Sequence, residues 1–321
     1  MPQVSSKSIY TAKKDDFYLE ALTDEDAIET TLSSTEVNRL GLALAGYVGT
    51  FLENSIQIIG QTEMAYLDGL DREAAREAIY RILDFNIPLL ILTRGLDTPE
   101  FLLEKAKERG IPVLRTTLPT GDFIRRLTAY IEYMLSPRVS EHGTLIDVYG
   151  VGLLYTGRAA IGKSECALDL VERGHRLVAD DVVTIFRRGQ VLIGQANELT
   201  GFHMEIRGVG IINIEALFGI RSVRLQKRVE VVVNLVDWND KEDYERLGME
   251  YDTIEILGIK VPKVTIPIFP GKNITVISEV VAMNHILRVC GCNPATEFEN
   301  RLVELLRQKR SAGSYLEEDE E

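Results

Sequence analysis

The stretch YTGRAAIGKSECALDL, Tyr155–Leu170, holds glycine, lysine and serine in the order Gly-x-x-x-x-Gly-Lys-Ser. This spacing is typical of the phosphate-binding loop of nucleotide enzymes, in which backbone N–H groups and a helix N-terminus face one anion. The preceding run VGLLYT predicts a strand, and the following run SECALDLVERG predicts a helix that ends near Gly174. Because a strand, a loop and a helix follow in that order, we expect the loop to bind ATP.

The residues of this loop have separate expected roles. The Lys163 side chain can reach the β- and γ-phosphates, and the Ser164 hydroxyl can bind Mg²⁺. Alanine in the loop interior supplies backbone N–H groups as well as glycine does, provided that φ stays negative. The residues predicted to bind the nucleotide are Gly157, Arg158, Ala159, Ala160, Ile161, Gly162, Lys163 and Ser164.

Length and composition limit the class of protein. A chain of 321 residues suggests about two domains. Its formal net charge of −13 disfavours nucleic acids and anionic membranes as partners. The apolar stretch LGLALAGYVGTFL is shorter than the ~20 residues that span a bilayer, so it predicts a buried helix. The N-terminus lacks the apolar core of a signal peptide, and three cysteines fit a reducing compartment, so we predict a cytoplasmic protein.

Residues 1–135 alternate strand and helix patterns and predict an α/β domain of regulatory or assembly type. The predicted strands are SIQIIG, IPLLILT and IPVLRTT, and the predicted helices are REAAREAIYRILDFN, DTPEFLLEKAKERG and GDFIRRLTAYIEYML. This order implies a parallel sheet with helical crossovers, and the continuous apolar run IPLLILT predicts a strand covered on both faces. In the second helix we expect Thr98 as the N-cap, Pro99 as the first helical residue and Gly110 at the C-terminus.

Residues 136–321 predict a second domain, a P-loop kinase domain rich in β-strands. The polar stretch SPRVSEHGT interrupts the periodic pattern and marks the boundary between the domains. Several β-rich runs follow, and Gly189 and Gln190 lie between two of them as a predicted hairpin turn. The chain ends with helical spacing and an acidic tail.

Acidic residues behind the loop helix are the candidates for catalysis. Asp180 and Asp181 follow a β-like run, and adjacent strand residues point to opposite faces. One carboxylate would then face the phosphates and the other would anchor structure or metal, with a solvated acidic turn as the alternative. Glu205 is a candidate oxygen ligand for Mg²⁺. The local sequence around His142 favours a structural role for this residue. The highly charged stretch around Arg246 favours a position on a solvated helix face.

Several motifs taken together resemble the bifunctional HPr kinase/phosphorylase family of bacteria. They are EHG, VYGVGLL, AIGKSE, ERGHRLVADD, MEIRGVGIIN, YERLG and IPIFPGKNITVISEVVAMN, in this order from about residue 142 to about residue 284. GLALAGYVGTFLENSIQIIGQTEMAYL extends a weaker similarity into the first domain. The resemblance implies ATP-dependent phosphorylation of a serine of the phosphocarrier protein HPr and its reversal by phosphorolysis, which yields pyrophosphate. It also implies a role in carbon metabolism and a homohexamer.

The resemblance further assigns roles to positions of this sequence. Ser164 and Glu205 match Mg²⁺ ligands, Met204–Asn213 matches a segment needed for both reactions, and Pro267–Lys272 matches one tied to dephosphorylation. Asp181 would accept the serine proton in the forward reaction. The residues that match catalytic residues are His142, Lys163, Asp181 and Arg246, and Asp180 is the alternative within the acid pair.

The sequence departs from the family pattern where phosphate is handled. The family loop usually reads Gly-Asp-Ser-Gly, whereas this chain has Gly157–Ala160, and arginine usually stands at the positions of Phe269 and Lys272. We expect Arg158 to add positive charge beside the phosphates and to shift the balance between the two reactions. Two other functions stay open, a P-loop kinase for another small molecule or protein, and an ATP-sensing regulatory protein that turns over slowly.

Overall fold

A computed structural model describes residues 4–24, 30–32, 34, 36–197, 201–239, 252–269, 271–292, 296–298 and 300–306. The chain divides into two compact units, Met1–Pro137 and Arg138–Glu321. Each unit combines helices with a sheet that contains parallel strands, which confirms the expected α/β fold class.

Strands and helices alternate along the first unit. Its strands are β1 (Val4–Ser5), β2 (Leu19–Ala21), β3 (Thr31–Leu32), β4 (Val37–Arg39), β5 (Ile56–Ile59), β6 (Leu90–Leu92) and β7 (Val113–Thr116). Its helices are α1 (Ser6–Lys13), α2 (Gly41–Leu44), α3 (Gln61–Asp68), α4 (Arg72–Leu83), α5 (Glu100–Glu108) and α6 (Thr120–Leu135).

The main sheet of the first unit is five-stranded, in the order β2-β7-β6-β5-β4. Strands β4 to β7 are parallel, and β2 adds an antiparallel edge. In the run IPLLILT, which contains β6, Leu90 and Leu92 pack into the core cluster that contains buried residues of α4 and α5. Leu89 and Ile91 pack into the opposite cluster, which contains residues of α6. The strand is therefore covered on both faces, as its continuous apolar sequence predicts.

Two local predictions for this unit are wrong. Helix α5 begins one residue later than expected, because Pro99 is extended (φ −57°, ψ 133°) and occupies the N-cap position. The Thr98 hydroxyl oxygen is buried and has no hydrogen-bond partner among the described residues. Of the stretch LGLALAGYVGTFL only α2 is helical, since Gly46 takes a φ of 100° directly after it, and Leu42 is exposed. Within the described ranges no helix combines the length and apolar character needed to cross a bilayer.

The second unit contains more strands than helices. Its strands are β8 (Arg138–His142), β9 (Thr144–Val148), β10 (Val151–Thr156), β11 (Arg176–Ala179), β12 (Val182–Arg188), β13 (Val191–Ala196), β14 (His203–Ile206), β15 (Gly210–Asn213), β16 (Gln226–Arg228), β17 (Val231–Asp237), β18 (Asp252–Ile256) and β19 (Ile259–Ile268). Its helices are α7 (Lys163–Glu172), α8 (Ile214–Phe218) and α9 (Ile274–Val289). Residues 296–298 and 300–306 are helical as well.

A six-stranded sheet in the order β11-β9-β10-β17-β19-β18 forms the centre of the second unit. Strands β10, β17 and β19 are parallel, and β9 and β18 run antiparallel to their neighbours. Leu153 and Tyr155 of β10 pack with residues of α7 and α9, whereas Leu154 packs with the four-stranded sheet β16-β13-β12-β8. Strand β10 is thus buried on both faces, and the loop that follows it is held at the carboxyl edge of the sheet. The predicted hairpin turn joins β12 and β13, with Gly189 at φ 58°.

Candidate active site

The glycine-rich loop connects β10 to α7 and lies against the neighbouring strand β17. Gly157 has a φ of 139°, and a Cβ atom there would lie 2.5 Å from the Leu235 carbonyl oxygen. Gly162 is the N-cap of α7, with a φ of 102°. Both positions therefore require glycine, one for close backbone approach and both for positive φ.

The interior of the loop differs from the expectation at Ala160. Its φ is 63°, in the left-handed region, so the condition of negative φ that we placed on alanine fails here. For an L-residue this conformation costs roughly 1–2 kcal/mol. Ile161 is buried and packs into the core below the loop, so its side chain anchors the loop.

Arg158 does not supply the expected free positive charge. Its Nε and Nη2 atoms donate to the two carboxylate oxygens of Asp237, at 2.6 and 2.7 Å. This hydrogen-bonded pairing lowers the pKa of Asp237 below its ordinary value. The guanidinium is thus paired with an acid at the end of β17, and Arg158 is absent from the described residues that line the neighbouring cavity.

Lys163 and Ser164 open helix α7 and have different partners. The Lys163 Nζ atom donates to the carbonyl oxygens of Gly157 and Arg158, each at 3.1 Å. The Ser164 hydroxyl donates to the Asp180 carboxylate at 3.1 Å. The loop lysine therefore lies along the loop, and the loop serine is tied to one of the two predicted acids.

Asp180 is a buried carboxylate held by two hydroxyl groups. Besides Ser164, the Thr144 hydroxyl donates to the same oxygen at 2.6 Å. Burial raises the pKa of Asp180, and the hydrogen bonds from Thr144 and Ser164 oppose that rise. Its side chain therefore fixes the first turn of α7 to strand β9.

Asp181 lies next to Asp180 but in a different environment. The two acids occupy a tight turn between β11 and β12 rather than a strand, so the expectation of alternating strand faces is wrong. Asp181 has a φ of 64° and an exposed side chain, and its carbonyl oxygen accepts a hydrogen bond from the Gly143 N–H at 3.1 Å. The turn, not strand alternation, separates a buried carboxylate from an accessible one.

His142 and Glu205 approach the acids from two other elements. His142 ends β8 directly opposite Val182 of β12, and its side chain is exposed. In the hairpin β14-β15, Met204 is buried in the core whereas Glu205 is exposed, as alternation along a strand requires.

These elements surround a cavity of about 930 Å³. It is lined by His142, Gly157, Ala159, Ala160, Gly162, Lys163, Ser164, Glu165, Asp180, Asp181, His203, Met204, Glu205, Arg207 and Ile211. The structure thus brings together most of the predicted site residues, from His142 at the start of the second unit to Glu205 of the hairpin β14-β15. The predicted residue Arg246 lies outside the described residues.

Neighbours of the site that were not predicted from the sequence include His203, Thr144 and Asp237. His203 stands two residues before Glu205 on the same face of β14, so strand alternation could have indicated it. Thr144 lies inside an apolar strand, and Asp237 lies far along the chain from Arg158. No local pattern marks either contact.

Known families match both units. The model described as HPr Serine kinase N terminus matches residues 8–131, and the model described as HPr Serine kinase C-terminal domain matches residues 133–302. An HPr kinase/phosphorylase of Leptospira biflexa is 44% identical over 92% of this chain and 92% of that protein. The chain belongs to the HPr kinase/phosphorylase family. A second relative of that name, from Geobacillus thermodenitrificans, is 41% identical over 96% of this chain and 99% of that protein.

Among solved structures, the chain is similar to the Hpr(Ser) kinase/phosphatase from Coxiella burnetii. The identity is 37% and the TM-score 0.45, over 48% of this chain and 93% of that chain.

Membership of the HPr kinase/phosphorylase family makes the chain an enzyme, a kinase for which ATP is the phosphoryl donor. The roles of individual residues stay predictions.

In the segment Pro267–Lys272, the Lys272 Nζ atom donates to the Pro267 carbonyl at 2.8 Å and lies 5.2 Å from the centre of the Phe269 ring. Burial lowers the pKa of Lys272.

Proposed function

We propose that this protein phosphorylates a serine of HPr from ATP and reverses that reaction by phosphorolysis, with phosphate as the attacking group. The observation that carries the proposal is the convergence of the phosphate loop, two acids and His142 on one cavity. A hydroxyl of a protein substrate and the γ-phosphate of ATP can meet there, with an accessible carboxylate beside them. By family resemblance, the reaction regulates carbon metabolism.

The oxygen atoms of the site fit Mg²⁺. Ser164 contributes a hydroxyl and Glu205 a carboxylate to the same cavity, and these hard oxygen ligands are the ones that Mg²⁺ prefers. Among the described residues there is no cluster of three or more His, Cys, Asp or Glu side chains that could hold a metal alone. This donor set fits an ion shared with substrate phosphates, where Mg²⁺ usually binds. An ion held there by Ser164 and Glu205 would neutralise negative charge on the substrate phosphates.

The two acids have different proposed roles. Asp180 is buried and already accepts hydrogen bonds from Thr144 and Ser164, so it positions the loop serine. Asp181 is exposed on the cavity, so it accepts the proton of the HPr serine as the oxygen attacks the γ-phosphorus. Lys163 stabilises the negative charge on the transferred phosphoryl group.

The reverse reaction uses the same groups. Inorganic phosphate attacks the phosphorus of phosphoserine, the bond from phosphorus to the serine oxygen breaks, and pyrophosphate forms. Asp181, protonated in this direction, returns a proton to the departing serine oxygen, as microscopic reversibility requires. Because both nucleophiles attack the same phosphorus in line, a single electrostatic environment serves both directions.

An assay with ATP, Mg²⁺ and purified HPr tests the function, with the intact mass of HPr as the readout. We expect one added phosphoryl group on serine, and its removal with release of pyrophosphate when phosphate and phospho-HPr are supplied. ATP binding without transfer would instead support a regulatory nucleotide sensor, and transfer to a different acceptor would support another P-loop kinase.

The acid pair gives a sharper test. Asp181→Asn should slow both directions by about 10²–10⁴-fold, the usual contribution of a general acid or base. Asp180→Asn should weaken the hold on Ser164 and therefore raise the Mg²⁺ concentration needed for activity. If Asp181→Asn is mild and Asp180→Asn abolishes transfer at saturating Mg²⁺, the two roles are reversed.

By family resemblance we also propose a homohexamer. Light scattering at micromolar concentration should give about six times the mass of one chain. A monomer under the conditions in which the enzyme is active would contradict this part of the proposal.

A further inference from the structure

A buried threonine lies behind the acids of the site. Thr144 is the first residue of β9 and is 0% exposed. Its hydroxyl donates to Asp180 Oδ1 at 2.6 Å, and the Ser164 hydroxyl donates to the same oxygen at 3.1 Å. Hydroxyl groups from β9 and from α7 therefore meet on one carboxylate oxygen. Ser164 and Asp180 line the cavity, whereas Thr144 is absent from the described residues that line it.

The chain at Thr144 also holds the turn of Asp180 and Asp181, called here the acid turn, through its backbone. The Gly143 N–H donates to the Asp181 carbonyl oxygen at 3.1 Å. Gly143 lies so close to β10 that a Cβ atom there would clash with the Tyr155 carbonyl oxygen, and Thr144 is paired with Tyr155 in the sheet. Two consecutive residues thus connect both acids to the strand that carries the phosphate loop.

The direction of these hydrogen bonds determines what the Ser164 oxygen can do. An ionised carboxylate only accepts hydrogen bonds, so the Ser164 hydroxyl uses its one hydrogen on Asp180. Its oxygen keeps its lone pairs, and a lone pair is what an oxygen ligand contributes to Mg²⁺. Because Thr144 fixes Asp180, the Ser164 hydroxyl is held in the orientation that a metal ligand needs.

We propose that Thr144 is a positioning residue for the Mg²⁺ site, which acts through Asp180 on the orientation of Ser164. The proposal rests on the proposed function, in which Ser164 is a Mg²⁺ ligand, and adds a residue outside the cavity. Groups that orient metal ligands from behind contribute about 10–100-fold to metal affinity. We therefore expect Thr144 to affect Mg²⁺ affinity much more than the rate at saturating Mg²⁺.

Binding of Mn²⁺, which prefers the same oxygen ligands as Mg²⁺, measures this effect without turnover. The full chain with a non-hydrolysable ATP analogue is titrated with Mn²⁺, and unbound Mn²⁺ is measured by electron paramagnetic resonance. Thr144→Val removes the hydroxyl and keeps the branched shape, so it should raise the Kd of Mn²⁺ by about tenfold. Thr144→Ser keeps a hydroxyl and should bind Mn²⁺ as the wild type does. An unchanged Kd in Thr144→Val, or equal losses in both variants, would overturn the proposal.

A buried threonine of the first unit provides the matched control. Thr93 is also 0% exposed, and its hydroxyl is hydrogen-bonded to the Ile59 carbonyl and to the Thr120 hydroxyl, at 3.3 and 2.7 Å. Thr93→Val should lower the melting temperature and leave the Kd of Mn²⁺ unchanged. If Thr93→Val and Thr144→Val raise the Kd alike, the effect is a general loss of stability and the proposal is wrong.

A further variant covers the case in which Thr144→Val does not fold. Thr144→Cys places an S–H group, a weak donor, at the same position. Its Kd of Mn²⁺ should therefore exceed that of Thr144→Ser. Equal Kd values for Thr144→Cys and Thr144→Ser would then contradict the role of the hydroxyl.

The outcomes separate Thr144 from the proposed function. In the HPr assay, Thr144→Val should need more Mg²⁺ and reach the wild-type rate at saturating Mg²⁺, and a rate that stays low there would contradict a positioning role. If HPr is not phosphorylated but Mn²⁺ binding depends on Thr144, the positioning role stands and the proposed acceptor is wrong. If HPr is phosphorylated and Mn²⁺ binds equally to Thr144→Val and wild type, only the positioning role is wrong.

Discussion

The two units contain a similar short sequence at a junction of strand and helix, with glycine and glutamate at the same two positions. The first unit has Gly60-Gln61-Thr62-Glu63, and the second has Gly162-Lys163-Ser164-Glu165. In both, the glycine is the N-cap and the glutamate is the third residue of the helix. Equivalent positions therefore carry a long polar side chain, a hydroxyl and a carboxylate.

The first junction is closed by its own side chains. Gly60 continues β5 in an extended conformation (φ −113°), and its N–H donates to Glu63 Oε2 at 2.9 Å. Arg39 also donates to this glutamate, which is almost fully buried. A Cβ atom at Gly60 would lie 2.7 Å from the Thr120 hydroxyl oxygen, so the space above the glycine is filled.

The second junction is open to the cavity. A loop separates β10 from α7, Gly162 has a φ of 102°, and Glu165 is exposed rather than folded back onto the glycine. The pattern of glycine, polar residue, hydroxyl and glutamate therefore does not decide ligand binding by itself. The chain before the glycine decides whether the helix N-terminus is capped internally or can face an anion.

The largest expected difference between the junctions is catalytic. Lys163→Ala should reduce HPr phosphorylation by at least ~10²-fold, since an electrostatic contact to the transferred phosphoryl group is lost. Gln61→Ala, the matching change in the first unit, should leave the rate unchanged. Initial rates by intact mass of HPr, with melting temperatures of both variants, check this. Equal losses of rate in the two variants, or a normal rate for a folded Lys163→Ala variant, would contradict the catalytic difference between the two junctions.

The next difference concerns stability. Glu63→Ala leaves the buried Gly60 N–H and the Arg39 guanidinium without their acceptor, which should lower stability by about 1–3 kcal/mol. Glu165→Ala changes an exposed side chain and should stay within about 0.5 kcal/mol. Urea unfolding monitored by circular dichroism measures both. A Glu165→Ala effect as large as that of Glu63→Ala would show that the second junction is closed as well.

A smaller, pH-dependent effect is expected at the buried glutamate of the second unit, away from the loop. Glu279 accepts hydrogen bonds from Arg173 at 3.0 and 2.7 Å, and Arg173 holds the pKa of Glu279 below its ordinary value. A pKa that is lower in the folded state stabilises the fold at pH values above the ordinary glutamate pKa of about 4.3. This stabilisation is lost as the pH falls through the pKa of the folded state. The wild type should therefore melt above Glu279→Gln at pH 7, and the gap should shrink in acid. A gap that is constant with pH would contradict this.

The smallest effect is expected at Arg158. Its pair with Asp237 is exposed, and such pairs contribute about 0–1 kcal/mol. Because the guanidinium is already paired, Arg158→Ala should change pyrophosphate affinity by less than about fivefold, the equivalent of 1 kcal/mol. Calorimetry with pyrophosphate measures this. A larger loss would restore the hypothesis that Arg158 acts on the phosphates directly.

Predictions based on local patterns succeeded where one short segment determines the structure. The β6 run is apolar without interruption because both faces are covered, and the helix patterns gave α4, α6 and α7. The predicted N-cap of α5, Thr98, was wrong. Proline fits either the N-cap or the first helical position, and only the ψ angle of Pro99 distinguishes the two. Alternation failed for Asp180 and Asp181 because the strand ends before them.

The sequence by itself determined the α/β class, the phosphate loop and the family, because these depend on periodicity, spacing and the order of motifs along the chain. Only the tertiary structure decided that Asp180 is held by Thr144, that Arg158 is neutralised by Asp237, and that Trp238 meets Phe269. Each of these contacts joins strands that are distant in sequence and adjacent in a sheet. Burial, charge pairing and ring contact are properties of such neighbours, so no local pattern contains them.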